Sequence, residues 1–294
     1  MMKLGRKIKK LKSKFLYFLR KNIHLEIYNF IILQLSKKKF LKNINFKKII
    51  LSKSKKLDEI NNYEFKITSQ NNEDGIISYL KKNISNPDNF FFEIGFDFNE
   101  FNSLNLIKEN WSGTLVDGDQ IKCDKLSACI KKYFKSQKIN IYNNFITYEN
   151  INQIIAKSVK KENFDFFSLD TDGMDYWILE NLNYKPKIIC AEFNPWLGKT
   201  NKLILPKSLN FNYQSDMYYG ASLKAYQFLL NKKNYKLVAI ESSGNNAFFI
   251  NQNEFKIKFD ELNVEESFKL DPKFEIRIYN EVYQRLLKKN WVKL

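Results

Sequence analysis

Acidic residues in this sequence recur at the ends of short apolar runs that predict β-strands. The carboxyl ends of parallel strands meet at one edge of an α/β sheet, and ligands bind beyond that edge. Random placement would scatter these acids, so the pattern predicts one carboxylate-lined site. The polar residues at the strand ends are Glu93 and Asp97, Asp117 and Asp119, Asp170 and Asp172, and Glu192 and Asn194.

The stretch from Phe90 to Asp119 has the spacing of a nucleoside-binding unit. One apolar run leads into Glu93-Ile94-Gly95, and a second run, about twenty residues later, stops at Asp117-Gly118-Asp119. Glycine after the first strand lets a ligand approach the backbone, and an acid after the second can accept hydrogen bonds from ribose hydroxyls. Because the loop after Glu93 keeps only one glycine, an ordinary buried strand followed by a turn is the alternative interpretation.

A second acidic pattern, D-x-D-x-x-D, comprises Asp170, Asp172 and Asp175. Residues two apart on an extended segment point to the same side, so Asp170 and Asp172 could share a divalent cation with Glu192 or Asn194 nearby. Alternatively, Asp172 begins only a turn and Asp175 only caps a helix. The same pattern also leaves open a glycosyltransferase, in which the metal would bind a nucleotide-sugar diphosphate.

Apolar runs and helical periods alternate through the middle of the chain and predict an α/β fold. We expect a doubly wound, mostly parallel, Rossmann-like seven-stranded sheet that ends in an antiparallel pair, Tyr235 to Ile240 and Ala247 to Ile250. Thr147 is the expected N-cap of one helix. The predicted regions are a basic, mainly helical arm over residues 1–70, the Rossmann-like domain over 71–255 and a C-terminal extension packed on it over 256–294.

A long polar and aromatic connection, residues 196–219, follows the fifth strand. Loops of this length in a compact domain are usually functional or disordered. We predict that its residues Tyr213, Asp216, Tyr218 and Tyr219 contact a substrate, by stacking on a sugar or by covering the site. The alternative is that these aromatic side chains only hold the loop against the domain.

The positive charge of the chain is concentrated at its N-terminus. Residues 1–56 contain 18 Lys or Arg and the single acid Glu26, which accounts for the whole formal net charge of +17. Such an arm favours contact with an anionic membrane surface or with nucleic acid. AT-rich coding bias is the alternative explanation, since Lys, Asn, Ile and Phe are abundant throughout.

Histidine and cysteine usage restricts the chemistry and the compartment. The lone His24 almost excludes a histidine-based triad, and three cysteines without paired or metal-ligand spacing favour a reducing compartment. The most apolar N-terminal run, Tyr28 to Leu35, is far shorter than a membrane span. We therefore predict a cytoplasmic protein, with the arm as a peripheral contact at the inner membrane face.

Several ordered motifs resemble the class I S-adenosylmethionine-dependent methyltransferases, and among them the FkbM-type group encoded beside surface-polysaccharide genes. The similarity covers about residues 74–249. The motifs are E-I-G at 93–95, N-E-F-N-S at 99–103, W-S-G-T-L-V-D-G-D at 111–119, S-L-D-T-D-G-M-D-Y-W at 168–177, A-E-F-N-P at 191–195 and G-A-S-L at 220–223.

The resemblance implies a cofactor site for S-adenosylmethionine. Asp117 would hold the ribose hydroxyls, Asn144 to Thr147 would approach the adenine, and Asp170 would face the sulfonium. The sequence departs from the family at Phe96 and Phe98, where smaller residues are usual. The full set of implied cofactor-binding residues is Glu93, Gly95, Asp97, Asn102, Asp117, Gly118, Asn144 and Asp170.

The sequence as a whole predicts a methyltransferase that acts on a hydroxyl or amino group of a surface-polysaccharide or glycolipid precursor. Methyl transfer needs alignment of donor and acceptor and can be assisted by a carboxylate, so the lack of histidine in the body is no obstacle. The predicted catalytic residues are Asp170, Asp172, Glu192 and Asn194. RNA methylation and a non-catalytic binding or scaffold protein with a degenerate cofactor loop are the alternatives.

Overall fold

A seven-stranded sheet forms the centre of the computed structural model, which describes residues 49–50, 59–268, 270 and 275–294. The predicted basic arm lies mostly outside these described residues, and the three predicted regions stay predictions. Numbered along the chain, the strands are β1 (Ile49–Ile50), β2 (Phe65–Lys66), β3 (Phe90–Ile94), β4 (Ser112–Asp117), β5 (Ile139–Asn143), β6 (Phe166–Leu169), β7 (Ile188–Glu192), β8 (Leu203–Ile204), β9 (Lys236–Ile240), β10 (Asn246–Ile250) and β11 (Val292–Lys293).

The strand order of the large sheet is β5-β4-β3-β6-β7-β10-β9. The first five of these strands run parallel in the doubly wound order, and β10 is antiparallel to both of its neighbours. Strands β3 and β6 are almost wholly buried, which explains their continuous aromatic runs. The predicted α/β fold with a mostly parallel seven-stranded sheet is confirmed.

Helices connect and flank the strands. They are α1 (Glu73–Lys82), α2 (Leu104–Lys108), α3 (Gln120–Tyr133), α4 (Ile151–Ala156), α5 (Asp175–Asn181), α6 (Leu223–Lys232), α7 (Val264–Ser267) and α8 (Ile276–Leu286). Short 3₁₀ turns occupy Glu59–Tyr63, Pro195–Leu197 and Gln252–Glu254. Among the described residues, we find no helix with the length and hydropathy that a bilayer crossing requires.

The predicted N-cap residue Thr147 makes the hydrogen bonds of a cap, although the assigned helix boundary lies three residues later. Helix α4 begins at Ile151 after Asn150. The Thr147 hydroxyl accepts hydrogen bonds from the backbone N–H groups of Glu149 and Asn150, and the Asn150 side chain accepts one from the N–H of Thr147. The reciprocal bonds between Thr147 and Asn150 are those of a capping box, and the Ile151 N–H donates to the Thr147 carbonyl oxygen at 3.1 Å, so this turn leads directly into the helix.

One carboxylate holds the segment before α1 against the domain. Asp74 accepts hydrogen bonds from the backbone N–H groups of Ile67, Thr68 and Ser69 at 2.7–2.9 Å. At Gly75 the helix packs so closely that a Cβ atom would lie 2.1 Å from the Tyr63 carbonyl oxygen. The segment is therefore fixed next to the cavity that Gln70 helps to line.

Candidate functional site

A cavity of about 420 Å³ lies beyond the carboxyl ends of β3, β4 and β6. This is the edge at which doubly wound sheets bind ligands, and the volume is in the range of small-molecule sites. The cavity collects nine of the predicted site residues and leaves six outside its lining. Those that line it are Glu93, Gly95, Asp97, Asn102, Asp117, Gly118, Asn144, Asp170 and Asp172, whereas Glu192, Asn194, Tyr213, Asp216, Tyr218 and Tyr219 do not.

Gly95 forms the turn that ends β3. Its φ is +72°, and a Cβ atom at this position would lie 1.6 Å from the Asp170 carbonyl oxygen. The backbone N–H of Gly95 donates to Val116, and the N–H of Asp170 donates to Ile94. Only glycine therefore lets the ends of β3, β4 and β6 meet at this point.

Asp117 joins this turn to the next strand. Its carboxylate accepts hydrogen bonds from the backbone N–H groups of Phe96 (3.2 Å) and Asp119 (2.7 Å) and from Lys122 Nζ (3.3 Å). A carboxylate has about four acceptor positions, so one remains for a ligand while Lys122 is in place. Lys122 is half-exposed on α3, and displacement of its side chain would free another position.

Glu93 anchors the loop that follows the Gly95 turn. The buried carboxylate accepts hydrogen bonds from the N–H groups of Asn102 (2.9 Å) and Ser103 (2.8 Å) and from the Ser103 hydroxyl. Asn102 in turn donates to Ser168 on β6 at 2.9 Å. Burial raises the pKa of Glu93 to about 7, although these donors oppose the shift. Glu93 and Asn102 thus hold the cavity wall.

The rim of the cavity is formed by Asp97 and by the segment after β5. Exposed Asp97 accepts a hydrogen bond from the N–H of Asn99 at 2.9 Å. The N–H of Asn144 donates to the Asp117 carbonyl oxygen at 3.1 Å, which places the following Phe145 beside Gly118. The Phe145 ring is 64% exposed although it lines a cavity. An exposed aromatic face next to a carboxylate suits a flat, polar-edged ligand such as a nucleobase.

At the other end of the cavity, three carboxyl groups come together. Asp170, Asp172 and Glu192 each offer an oxygen atom within 4.8 Å of the others. Of these three residues, Asp170 and Asp172 line the cavity and Glu192 does not. Burial and the charges of Asp175 and Asp172 raise the pKa of Asp170 to about 7, and burial beside Asp170 raises that of Glu192 well above its usual range.

Asp172 and Asp175 differ in their surroundings. Asp172 has a φ of +54°, a sparsely populated conformation for a residue with a side chain. Burial raises its pKa, whereas Lys122 lowers it. Asp175 is buried and accepts hydrogen bonds from the N–H groups of Thr171 (2.8 Å) and Gly173 (3.1 Å). Asp175 therefore closes the turn that presents Asp170 and Asp172 to the cavity.

The Asn194 side chain is engaged by the long connection. It donates to the carbonyl oxygens of Met217 and Tyr219 at 2.9 Å and accepts from the N–H of Trp196 at 3.0 Å. Both N–H donors of the amide are thus taken, and the side chain is fully buried. These contacts give Asn194 a role in positioning the connection.

The four predicted substrate residues divide between two surroundings. Asp216 accepts from Lys289 Nζ at 3.0 Å and the Tyr218 hydroxyl donates to the Asn290 carbonyl oxygen, so these two face the C-terminal segment. Tyr213 and Tyr219 pack edge to face at 5.2 Å, and the charges of Glu192 and Asp172 act on both. Other residues of the same connection line the cavity, namely Ser208, Leu209 and Phe211.

Several cavity residues could not be singled out from the amino-acid sequence alone. Lys122, which pairs with Asp117, lies in the first turn of α3, and only the phase of that helix brings its side chain back to the strand end. Asn246 opens β10 and lies opposite Glu192 in the sheet. Strand alternation could have indicated Asn246 once the pairing of β7 and β10 was known.

No protein-family model and no curated protein matches the chain. Among solved structures, the bifunctional kinase-methyltransferase WbdD is similar at 12% identity over 55% of this chain, with a TM-score of 0.36, and the match spans only 35% of WbdD. The magnesium protoporphyrin IX methyltransferase of Synechocystis PCC 6803 with bound SAM is similar at 8% identity over 60% of this chain and 76% of that one (TM-score 0.39).

TrmK of M. capricolum, in complex with S-adenosyl-homocysteine, is similar at 16% identity. That match covers 73% of this chain and 87% of TrmK, with a TM-score of 0.39. Identities and TM-scores of this size support no functional assignment, which rests instead on the residues of the site.

Proposed function

We propose that this protein is an S-adenosylmethionine-dependent methyltransferase that binds its methyl donor in the cavity. The observation that carries the proposal is the hydrogen bond between the N–H of Phe96, in the Gly95 turn, and the carboxylate of Asp117. It brings a glycine turn and a strand-end acid, the two elements that bind a nucleoside in doubly wound sheets, to one end of a cavity of about 420 Å³.

The residues of the cavity suit the parts of this cofactor. Asp117 keeps an acceptor position for a ribose hydroxyl, and Phe145 offers its exposed ring to the adenine. The Gly95 turn lets the chain of the methionine part pass close to the backbone. Asp170, at the far end, supplies negative charge next to the sulfonium.

S-adenosylmethionine supplies a methyl group on a positively charged sulfur. The protein must hold donor and acceptor in line, exclude water and remove a proton from the acceptor. Asp170 lines the cavity, and its pKa of about 7 suits proton exchange at neutral pH. Glu93 has a similar pKa, but its carboxylate is held by hydrogen bonds from Asn102 and Ser103. No covalent nucleophile is needed.

We further propose that the methyl acceptor is a hydroxyl or amino group of a surface-polysaccharide or glycolipid precursor. The protein would then be an FkbM-like enzyme that acts at the cytoplasmic face of the membrane. The carboxyl groups of Asp170, Asp172 and Glu192 lie at the end of the cavity where the acceptor would bind. They disfavour RNA as the acceptor, because a phosphate near Asp172 would be repelled. A basic arm in contact with an anionic membrane or with a distant phosphate of the acceptor is compatible with this proposal.

Isothermal titration calorimetry with S-adenosylmethionine and S-adenosylhomocysteine tests the cofactor assignment. We expect binding by the wild type and a loss of at least about tenfold in affinity for Asp117→Ala, because a charge-assisted hydrogen bond to the ribose disappears. Asp124→Ala is the matched control, since Asp124 is an exposed acid on α3 outside the cavity. Folded wild type that binds neither ligand at millimolar concentration would contradict the proposal.

A further inference from the structure

Two amide side chains of the cavity are held by their nitrogen atoms. Asn246 Nδ2 donates to Glu73 Oε1 at 2.8 Å, and Asn102 Nδ2 donates to Ser168 Oγ at 2.9 Å. Asn102, Ser168 and Asn246 line the cavity, whereas Glu73 lies behind its wall. Because the nitrogen atoms face these partners, the oxygen atom of each amide points away from them.

The oxygen atoms of these two amides are left for a ligand. In the described part of the chain, no donor forms a hydrogen bond with Asn102 Oδ1 or Asn246 Oδ1. Neither atom is fully enclosed, in contrast to the buried and unpartnered Oδ1 of Asn61. Asn246 is only 7% exposed, and it lines the cavity. Two carbonyl oxygens therefore offer acceptor positions to the same cavity.

Glu73 sets the orientation of the Asn246 amide from outside the cavity. Its side chain is fully buried, and while one carboxylate oxygen accepts from Asn246, the other accepts from the N–H of Asn71 at 2.8 Å. A rotated Asn246 amide would place its oxygen against this carboxylate, and two acceptors in contact repel each other. Burial, together with the charge of Glu241, raises the pKa of Glu73 to about 7, so at pH 8 Glu73 is mostly ionised and acts as an acceptor.

The strand order places the two amides away from the nucleoside end of the proposed donor site. Asp117 ends β4, Ser168, the partner of Asn102, lies two strands further on β6, and Asn246 opens β10 beyond that. With the ribose at Asp117, the amides lie toward the amino-acid end of the methyl donor, which carries an ammonium and a carboxylate. Carbonyl oxygens, with the negative charge of Glu73 behind one of them, favour the ammonium group.

We propose that Glu73 is a positioning residue for the methyl donor. It holds the Asn246 amide so that Asn246 Oδ1, together with Asn102 Oδ1, accepts hydrogen bonds from the ammonium group at the amino-acid end of the donor. Glu73 itself does not contact the ligand. This inference rests on the proposed methyltransferase function, and it makes the two amides responsible for selecting ligands that carry an amino-acid end.

Two ligands separate contacts to the amino-acid end from contacts to the nucleoside. S-adenosylhomocysteine carries the ammonium group, whereas 5′-methylthioadenosine keeps the adenosine and the thioether and lacks the amino-acid end. We would measure both affinities for the full chain at pH 8, by competition calorimetry for the weaker ligand. Asn246→Ala and Glu73→Gln should each lower the affinity for S-adenosylhomocysteine at least about tenfold and leave that for 5′-methylthioadenosine within about twofold. In Glu73→Gln, the single amide oxygen can accept from only one of the two groups that Glu73 holds, Asn71 and Asn246.

Double variants show whether Glu73 acts through Asn246. Glu73→Gln combined with Asn246→Ala should bind S-adenosylhomocysteine within about twofold of Asn246→Ala alone, because the amide that Glu73 positions is already absent. Glu73→Gln combined with Asn102→Ala should instead show the sum of the two separate losses in free energy of binding. Asn245→Ala is the matched control, since this neighbouring residue does not line the cavity, and it should change neither affinity.

Four results would overturn the inference. These are a wild type that binds S-adenosylhomocysteine no more tightly than 5′-methylthioadenosine, an unchanged S-adenosylhomocysteine affinity in Asn246→Ala, an equal loss for both ligands in that variant, and additive losses for Glu73→Gln and Asn246→Ala. Unchanged binding of 5′-methylthioadenosine shows at the same time that a variant is folded. Wild type that binds neither ligand would instead contradict the methyltransferase function itself.

Discussion

The carboxyl groups at the two ends of the cavity have different interaction partners. At the Gly95 end, Glu93 and Asp117 accept hydrogen bonds from backbone N–H groups and from nearby side chains. At the other end, Asp170, Asp172 and Glu192 bring carboxylate oxygens within 4.8 Å of one another, and Asp172 is exposed. The first end is therefore organised by hydrogen bonds from the chain itself, whereas the second brings carboxyl groups together, and their mutual repulsion and burial favour the protonated forms of Asp170 and Glu192.

The same contrast holds for two carboxyl groups with similar proton affinity. The pKa values of Glu93 and Asp170 are both raised to about 7, in both cases chiefly by burial. Hydrogen-bond donors oppose the shift at Glu93, whereas the neighbouring carboxylates Asp175 and Asp172 add to it at Asp170. The same raised pKa thus results from different interactions at the two residues. Replacing each carboxylate by the neutral amide should therefore change the stability of the protein in different ways.

The largest expected effect is that of Gly95→Ala, which would break the connection between the two ends. The added Cβ would lie 1.6 Å from the Asp170 carbonyl oxygen at a φ of +72°. We expect the free energy of unfolding to fall by about 2–4 kcal/mol, together with a loss of cofactor binding. Urea denaturation measures the first effect. Gly118→Ala, whose Cβ would meet nothing nearer than 3.5 Å, should change stability by less than about 1 kcal/mol.

Smaller changes in the free energy of unfolding should distinguish the carboxyl group of Glu93 from that of Asp170. Glu93→Gln loses a charged acceptor for two backbone N–H groups, and we expect a destabilisation of about 1–3 kcal/mol at pH 8. Asp170→Asn removes a charge that lies among Asp172, Asp175 and Glu192, so it should stabilise the protein at pH 8 by about 1 kcal/mol. Destabilisation of equal size by both variants would refute the contrast between the two ends.

The pH dependence of the same measurement follows from the direction of these shifts. With a folded-state pKa of about 7 against an ordinary 3.8, folded Asp170 keeps a proton that the unfolded chain releases. Its contribution to stability is therefore complete at low pH and is lost as the pH rises through about 7. The wild-type stability should therefore fall more steeply with pH than that of Asp170→Asn between about pH 4 and pH 7, and the two slopes should agree above that range. Lys122, Tyr213, Tyr219 and Tyr226 also act on this cluster, and they are unchanged in the variant.

The smallest effect should come from Lys122→Met. The ion pair between Lys122 and Asp117 is 3.3 Å long and partly exposed, so its loss should change stability by less than about 1 kcal/mol. Because Lys122 occupies one acceptor position of Asp117, its removal should leave S-adenosylhomocysteine affinity unchanged or up to about threefold higher. A tenfold loss of affinity would show that Lys122 contacts the ligand directly.

The sequence predicted the sheet well because its strands are buried. Continuous runs such as Phe90–Ile94 and Ile188–Glu192 can pack only inside an α/β domain, and the acids that follow them mark one edge. Long-range partners could not be predicted. Tyr226 has the spacing of an ordinary core residue, and the contacts of Tyr218 and Asp216 with Asn290 and Lys289 join segments about seventy residues apart.

The position of β10 has a consequence for synthesis of the chain. This strand, the last of the large sheet in sequence, lies between β7 and β9 rather than at an edge. Until Asn246–Ile250 leaves the ribosome, β7 has an unpaired side and β9 has no partner in the large sheet. Nascent chains that stall before this point would expose a hydrophobic strand edge, and they should depend on chaperones until the final hairpin inserts.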